Sequence, residues 1–218
     1  VPPRPALAPL TGGASWSRSL QGLTLPDVRV RVGEADGKPD VERRGSFLFT
    51  HFGLSGPAVM DASRFVTLRP DASDWQATCD FLPSIDEEAL RRDLDAAGGR
   101  SVGAAMAGWA PRRLGDALIQ RVGVAADRRV AEMSKADRRS VIDAIKRTPI
   151  PIAGSLGFKK AEVTAGGVDL AEIDPRTMES RVAPGCHFIG EVLDLDGPIG
   201  GYNFQAAFST GALCGDSV

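Results

Sequence analysis

Cysteine and histidine are scarce in this chain, with three cysteines and two histidines among 218 residues. Cys79, Cys186 and Cys214 lie far apart and form no C-x-x-C pair, so they predict neither a disulfide framework nor a zinc site. Two histidines without a carboxylate at ligand spacing add no metal site. This cysteine usage is typical of the reducing cytoplasm, and we predict a cytoplasmic location.

Long apolar runs are also absent from the sequence, since none approaches the roughly 20 residues needed to span a bilayer. The first ten residues are rich in proline and lack the basic-then-apolar pattern of a signal peptide. We therefore expect no membrane partner. Residues 1–19 are interpreted as an extended connector.

The net charge of −2 argues against general nucleic-acid binding, although the charge is unevenly distributed. Residues 111–147 carry ten basic and five acidic side chains. Few aromatic residues alternate with these arginines, so the sequence predicts no nucleic-acid partner. Six arginines are expected to coat the solvent face of helices: Arg112, Arg113, Arg128, Arg129, Arg138 and Arg139.

The apolar content of 43% is enough for a buried core. In residues 20–82, valines at 28, 30 and 32 alternate with arginines, which predicts a strand with one buried face. Further short strands are predicted at 47–50, 65–68 and 75–81, and Asp36-Gly37 offers a turn. Residues 148–165 return to strand character, so the predicted fold class is α+β, with an antiparallel β-barrel or sandwich formed by 20–82 and 148–165.

Between these segments, residues 83–147 have the apolar period of helices and predict an inserted small helical domain. Ser84 with Glu87 and Ser134 with Asp137 resemble capping boxes. Pro111 suits a first helical position.

Residues 166–218 end in a glycine-rich segment with a strand-turn-helix pattern. The run 186–189 predicts a short buried strand, and the glycines at 197, 200 and 201 allow close backbone approach to a ligand. A helix is expected to begin at Asn203, with its free N–H groups directed at the turn. Such a turn also occurs without any ligand, simply as a tight connection before a helix.

Four ordered motifs resemble the bacterial NAD(P)/FAD-dependent oxidoreductases of the aminoacetone-oxidase-like type. They are FTHFGLSGP at 49–57, VTAGGV at 163–168, DPRTMES at 174–180 and GEVLDLDGPIGGYNFQ at 190–205. The resemblance covers nearly the whole chain. It implies that the last motif closes an FAD site and that a small organic molecule is the substrate. It also implies that electrons pass to or from NAD(P)H, oxygen or an unsaturated substrate.

The resemblance implies cofactor-binding roles for residues in two motifs. They are Thr164, Gly166, Gly167, Gly190, Glu191, Asp194, Gly197, Gly200, Gly201, Tyr202 and Asn203. Glu191 and Asp194 would accept hydrogen bonds from the sugar chain of FAD, and the glycine turn would present N–H groups to the flavin ring. Asp194 also suits a turn cap, and Thr164 to Gly167 suits a strand end with a bulge.

His51 is the candidate catalytic residue, because a histidine beside a flavin-bound substrate can exchange a proton. A lone histidine is more often a structural residue than a catalytic one.

The chain departs from the family in one respect, since no strand precedes a G-x-G-x-x-G turn and a helix. We therefore interpret it as the C-terminal portion of a flavoprotein whose N-terminal dinucleotide-binding segment is missing. The predicted function is FAD-dependent hydride transfer. The alternative is a non-catalytic binding module that does not hold FAD as an isolated chain.

Overall fold

The protein is described by a computed structural model, which covers residues 1–35, 37–72 and 74–218. The predicted turn at Asp36-Gly37 lies partly outside these residues. The strands are β1 (Arg4–Ala6), β2 (Leu10–Gly12), β3 (Thr24–Glu34), β4 (Val41–Phe49), β5 (Gly53–Ser55), β6 (Trp75–Asp80), β7 (Thr148–Ser155) and β8 (Val163–Ala165). The helices are α1 (Ser15–Arg18), α2 (Pro57–Leu68), α3 (Glu87–Ala96), α4 (Val102–Met106), α5 (Arg112–Arg121), α6 (Lys135–Lys146) and α7 (Tyr202–Gly215).

Six strands form a closed antiparallel barrel in the order β2-β5-β4-β3-β6-β7. Val28, Val30 and Val32 on β3 are fully buried, as their alternation predicts, because successive side chains of a strand point to opposite faces. The barrel and the helices confirm the predicted α+β fold class. β7 follows the helical segment in sequence and pairs with β6 and β2 to complete the barrel.

The N-terminal segment differs from the expected connector. Residues 1–19 contain β1, β2 and α1, and β2 pairs with both β5 and β7. β1 pairs with β8 in a separate two-stranded sheet. Proline-rich sequence does not exclude strands at such positions, since proline is tolerated at sheet edges.

The predicted strand at 65–68 is wrong, because these residues form the end of α2. Pro57 begins this helix after Gly56, and the buried residues Val59, Ala62 and Val66 recur at helical spacing. α2 packs against β4 and β1.

The helical segment 83–147 contains α3 to α6, and Ser134 and Asp137 form the predicted capping box at α6. The capping box predicted for Ser84 and Glu87 is wrong. α3 begins at Glu87 with Asp86 as its cap, and Asp86 Oδ1 accepts a hydrogen bond from the N–H of Ala89 at 2.6 Å. Pro111 caps α5 instead of occupying its first turn. The division into separate domains stays a prediction.

The predicted buried strand at 186–189 is also wrong. Cys186 is exposed, Ile189 is 44% exposed, and His187 forms one isolated bridge with Glu179. Gly185 and Gly190 flank the run with positive φ angles of 80° and 70°, which turn the backbone out of an extended path at both ends. Among the described residues, no helix combines the length and the apolar character that a bilayer span requires.

Arg138 and Arg139 provide a test of how the helical segment is held together. Arg138 donates to the carbonyl oxygen of Val130 at 2.7 Å and pairs with Asp95, whereas Arg139 is 77% exposed. We predict that Arg138→Gln lowers the free energy of unfolding by about 2 kcal/mol, because charged hydrogen bonds to a partly buried carbonyl are lost. Arg139→Gln, the matched control, should change it by less than about 0.5 kcal/mol in urea titrations. Equal effects of the two variants would contradict this interpretation.

Candidate functional site

A pocket of about 470 Å³ opens between β8 and the N-terminal end of α7, and we call it the α7 pocket. Its walls are mainly apolar, and its polar residues include Glu162, Glu191 and Asn203. The lining residues are Leu7, Glu162, Val163, Gly190, Glu191, Leu195, Pro198, Ile199, Gly200, Gly201, Asn203, Phe204, Ala206 and Ala207. The pocket therefore brings together five of the residues predicted to bind a cofactor.

Two carboxylates join the separate segments that form this region. Glu191 Oε1 accepts a hydrogen bond from the N–H of Thr164 at 2.6 Å, and Asp194 Oδ1 accepts one from the N–H of Gly166 at 3.0 Å. Carboxylates are strong acceptors for backbone N–H groups. In this structure both side chains thus connect the 190–196 loop to β8 and the residues that follow it.

The glycines after β8 stand where two backbones come very close. A Cβ atom on Gly167 would lie 2.3 Å from the carbonyl oxygen of Val192, and one on Gly166 would lie 2.3 Å from that of Pro2. Both glycines have positive φ angles. Thr164, Gly166 and Gly167 therefore support the wall behind the pocket and are not among its lining residues.

Asn203 closes the glycine-rich turn from inside α7. Its Oδ1 accepts from the N–H of Gly197 at 2.8 Å, and its Nδ2 donates to the carbonyl oxygen of Gly197 at 3.0 Å. This reciprocal pair fixes the turn before the helix begins. α7 starts at Tyr202, one residue earlier than predicted, with Gly201 as its cap.

Gly201, the residue that caps α7, has open space around it. Gly201 has a φ of +90°, and a Cβ atom there would meet no atom within 4 Å. Gly200 has a φ of +123°, and its nearest neighbour is the ring of Tyr202. Tyr202 itself is 61% exposed and does not line the pocket. The first N–H groups of a helix have no intrahelical acceptor, so those of α7 are free to face a ligand.

α2 holds the turn from the barrel side, which the sequence did not predict. Asp61 Oδ1 accepts from the N–H of Ile199 at 2.7 Å, and Arg64 lies 3.1 Å from the carboxylate of Asp196. Burial raises the pKa of Asp196 above its ordinary value, and Arg64 opposes that shift. Asp61 and Arg64 are more than 130 residues away in sequence, so no local pattern reveals this contact.

Leu7 is a second residue that sequence reasoning missed. It lines the pocket, is 4% exposed and has a φ of +49°, which is uncommon for a residue with a side chain. Its carbonyl oxygen accepts from the N–H of Glu162 at 3.2 Å. Backbone strain of this kind often accompanies a functional site.

His51 lies apart from these residues. It is exposed in the connection between β4 and β5, its ring contacts that of Phe52 edge-on at 5.0 Å, and it does not line the pocket. Its catalytic role stays a prediction. No group of three metal-ligating side chains occurs in the part of the chain that the structure describes.

The barrel, the helices and the chain as a whole match known proteins. Residues 4–163 match the family model described as the HI0933-like protein barrel and H2TH domain, and the chain belongs to this family. It is 34% identical to the ribosomal RNA dihydrouridine synthases of Escherichia coli and Haemophilus influenzae, over 100% of this chain and 52% of each relative. It is 32% identical to the 3-dehydro-bile acid delta(4,6)-reductase of Clostridium scindens, over 80% of this chain and 44% of the relative.

These relatives are named as enzymes, and one of them as a reductase. The chain spans about half the length of the curated relatives it matches. The family shown for the chain is the HI0933-like family, and the finer aminoacetone-oxidase-like type stays a prediction.

The contact between Asp194 and Gly166 can be tested directly. We predict that Asp194→Ala speeds hydrogen exchange at the amide of Gly166 about 10-fold, because a charge-assisted hydrogen bond is worth roughly 1.5 kcal/mol or more. Hydrogen-exchange mass spectrometry or NMR measures the effect. Asp174→Ala is the matched control, since Asp174 accepts from the N–H of Arg176 at 2.9 Å in another turn. Unchanged exchange at Gly166 in the Asp194 variant would show that this contact does not hold the loop.

Proposed function

We propose that this chain is part of an FAD-dependent oxidoreductase and that the α7 pocket receives the flavin. The single observation that carries the proposal is the convergence of Gly190, Gly200, Gly201 and Asn203 on one apolar pocket. These residues come from the motif that resembles the FAD-closing segment of flavoproteins. Enzyme relatives that match the whole chain support the same proposal.

The α7 pocket fits a flavin in size and in chemistry. Its volume of about 470 Å³ lies within the range of small-molecule and cofactor sites, about 300 to 1,000 Å³. Leu195, Ile199 and Phe204 give it apolar walls, as a flat ring system requires. Within the described residues, the N–H groups of Gly200 and Gly201 donate to no acceptor of the chain. Two free donors beside a helix N-terminus suit an electron-rich ligand edge.

The whole protein is proposed to supply the rest of the cofactor site. A dinucleotide-binding segment preceding this chain would hold the ADP half of FAD, and NAD(P)H would be the electron partner. The chain's coverage of 52% of each dihydrouridine synthase relative leaves room for such a segment in the whole protein.

The reaction class follows from what the relatives' names share. Dihydrouridine is uridine reduced at a ring C=C bond conjugated with a carbonyl, and a delta(4,6)-reductase of a 3-dehydro bile acid acts on the same kind of conjugated bond. We propose that the substrate of this protein also contains a C=C bond conjugated with a carbonyl. FAD supplies hydride chemistry when bound, and the protein adds binding, orientation and electrostatic stabilisation.

The residues of this chain then have distinct roles. The N–H groups at Gly200 and Gly201 stabilise negative charge on the ligand edge that faces them. Asn203 holds the turn that presents these groups, while Glu191 and Asp194 fix the neighbouring wall. His51 remains the predicted proton-exchanging residue.

A non-catalytic binding module remains the second candidate, and one observation favours it. α7 has no buried residue, and Phe204 and Phe208 are 74% and 73% exposed. Exposed aromatic side chains on one helix indicate a contact surface. This candidate predicts a colourless protein that associates through α7.

Substitution of Gly201 tests the flavin site. We predict that Gly201→Val in the full-length protein lowers flavin occupancy at least about 10-fold, because a β-branched side chain strains the +90° φ of a residue that lines the pocket. Absorbance of the purified protein in the flavin bands measures occupancy. Gly123→Val is the matched control, since Gly123 also has a positive φ of 71° with open space around it, outside the pocket. Full yellow colour in the Gly201 variant, or equal loss in both, would reject the assignment.

A second experiment tests the reaction class. We predict that the full-length protein, reduced anaerobically with NADPH, is reoxidised by a 3-oxo compound or a uridine ring with a conjugated C=C bond. The corresponding saturated compound is the control and should leave the reduced absorbance unchanged. Reoxidation by oxygen alone, with no response to either conjugated compound, would contradict the proposed reaction.

A further inference from the structure

Two carboxylates are the charged side chains that line the α7 pocket. They belong to Glu162 and Glu191, and no lysine, arginine or histidine of the described residues is part of the pocket wall. The other lining residues are apolar or uncharged. A ligand in this pocket therefore meets negative charge without a compensating cation on the same wall.

Glu162 differs from the neighbouring acidic residues, because its carboxylate has no partner within the part of the chain that the structure describes. Glu191 and Asp194 each accept a hydrogen bond from a backbone N–H group. Asp196 forms an ion pair with Arg64. Donors and cations offset the charge of a carboxylate that they contact. Glu162 therefore carries the least compensated charge on the pocket wall.

The backbone holds Glu162 at a defined position on this wall. Its N–H donates to the carbonyl oxygen of Leu7 at 3.2 Å, and the next residue, Val163, pairs with Ala6 in the sheet of β1 and β8. Leu7 is 4% exposed and lines the pocket as well. Glu162 itself is exposed, so it lines the pocket where the pocket opens to solvent.

The pocket is small enough for the charge of Glu162 to act on a ligand inside it. A sphere with the pocket's volume of about 470 Å³ is about 10 Å across. This distance is close to the Debye length of about 8 Å at physiological salt, so screening leaves part of the interaction. A bound ligand also displaces water from the pocket, which strengthens the interaction between the remaining charges.

Reduction of a flavin changes the charge that the pocket has to accommodate. Two electrons and one proton convert the neutral oxidised ring into an anion. The N–H groups of Gly200 and Gly201 stabilise an anion beside them, whereas the carboxylate of Glu162 destabilises it. The energy of the reduced ring is thus set by opposing effects from different parts of the wall.

We propose that Glu162 lowers the reduction potential of the flavin in the α7 pocket and thereby makes the reduced flavin a stronger hydride donor. The proposal rests on the proposed function, since it takes the ligand of the pocket to be a flavin. Glu162 acts through its charge alone and exchanges neither proton nor hydride. Hydride transfer to a conjugated C=C bond restores the neutral ring, and a proton from solvent completes the reduction of the substrate. The repulsion between Glu162 and the ring is relieved in this step.

The test measures the midpoint potential of the full-length protein with bound FAD, by reduction with dithionite beside a reference dye. E162Q should raise the equilibrium constant for flavin reduction about fivefold, or about 20 mV, because a tenfold change is about 30 mV for a two-electron couple. E162K reverses the charge and should raise the constant about 25-fold, or about 40 mV. E162D keeps the charge and should keep a potential near that of the wild type.

E132Q is the matched control for the loss of charge. Glu132 is an exposed glutamate in the short helical turn between α5 and α6 and does not line the pocket. Its replacement should leave the potential unchanged. Flavin absorbance confirms that each variant holds FAD, and far-UV circular dichroism confirms that each variant folds.

An unchanged or lowered potential in E162Q would overturn the proposal. The same conclusion would follow from a shift in E162K no larger than that in E162Q, or from a shift of equal size in E162D or E132Q. Failure of the proposed function gives a different result, because full-length wild-type protein would then show no flavin absorbance, and this proposal would fail with it. A flavin whose potential does not respond to the charge at position 162 rejects the present proposal alone.

Discussion

Closure of the barrel by β2 is the constraint on which the remaining structure depends. This strand of three residues pairs with both β5 and β7, and its neighbours approach so closely that a side chain would not fit. A Cβ atom on Gly53 would lie 2.3 Å from the carbonyl oxygen of Leu10. Once β2 is fixed, the chain before it carries Leu7 to the α7 pocket, and the chain after it begins α1, which contacts α5. One short strand thus positions both part of the pocket wall and the first helix.

α2 connects the region before β2 to the pocket, because its side chains contact both. On one side, Ser63 Oγ accepts from the N–H of Ala8 at 3.0 Å, and Thr67 Oγ1 donates to the carbonyl oxygen of Pro5 at 2.8 Å. On the other side, Asp61 and Arg64 hold the 196–199 turn. A single helix therefore positions both β1 and the glycine-rich turn. Changes in α2 should alter ligand binding without touching the ligand, because the turn depends on its side chains.

The parts of the fold that sequence predicts are those with a local signal. Valine alternation identified β3, and the Ser134 capping box identified the start of α6, because both patterns lie within one element. The strand predicted at 65–68 failed because its β-favouring residues lie in a helix that Pro57 had already begun. For the site, the motif at 190–205 located the pocket residues, but the contacts of Asp61 across more than 130 residues have no local signature.

The same distinction explains why the charge distribution around a given group does not follow from the net charge of −2. Charges separated by more than about 8 Å are largely screened at physiological salt, so each group responds to its neighbours and not to the sum over the chain. Trp16 and Arg121 are distant in sequence, and the packing of α1 on α5 places the Arg121 guanidinium over the Trp16 ring, 5.7 Å from its centre. Counting basic and aromatic residues within 111–147 misses this contact, since its aromatic member belongs to another segment. The local arrangement of charges is therefore created by the fold, because tertiary packing decides which side chains become neighbours.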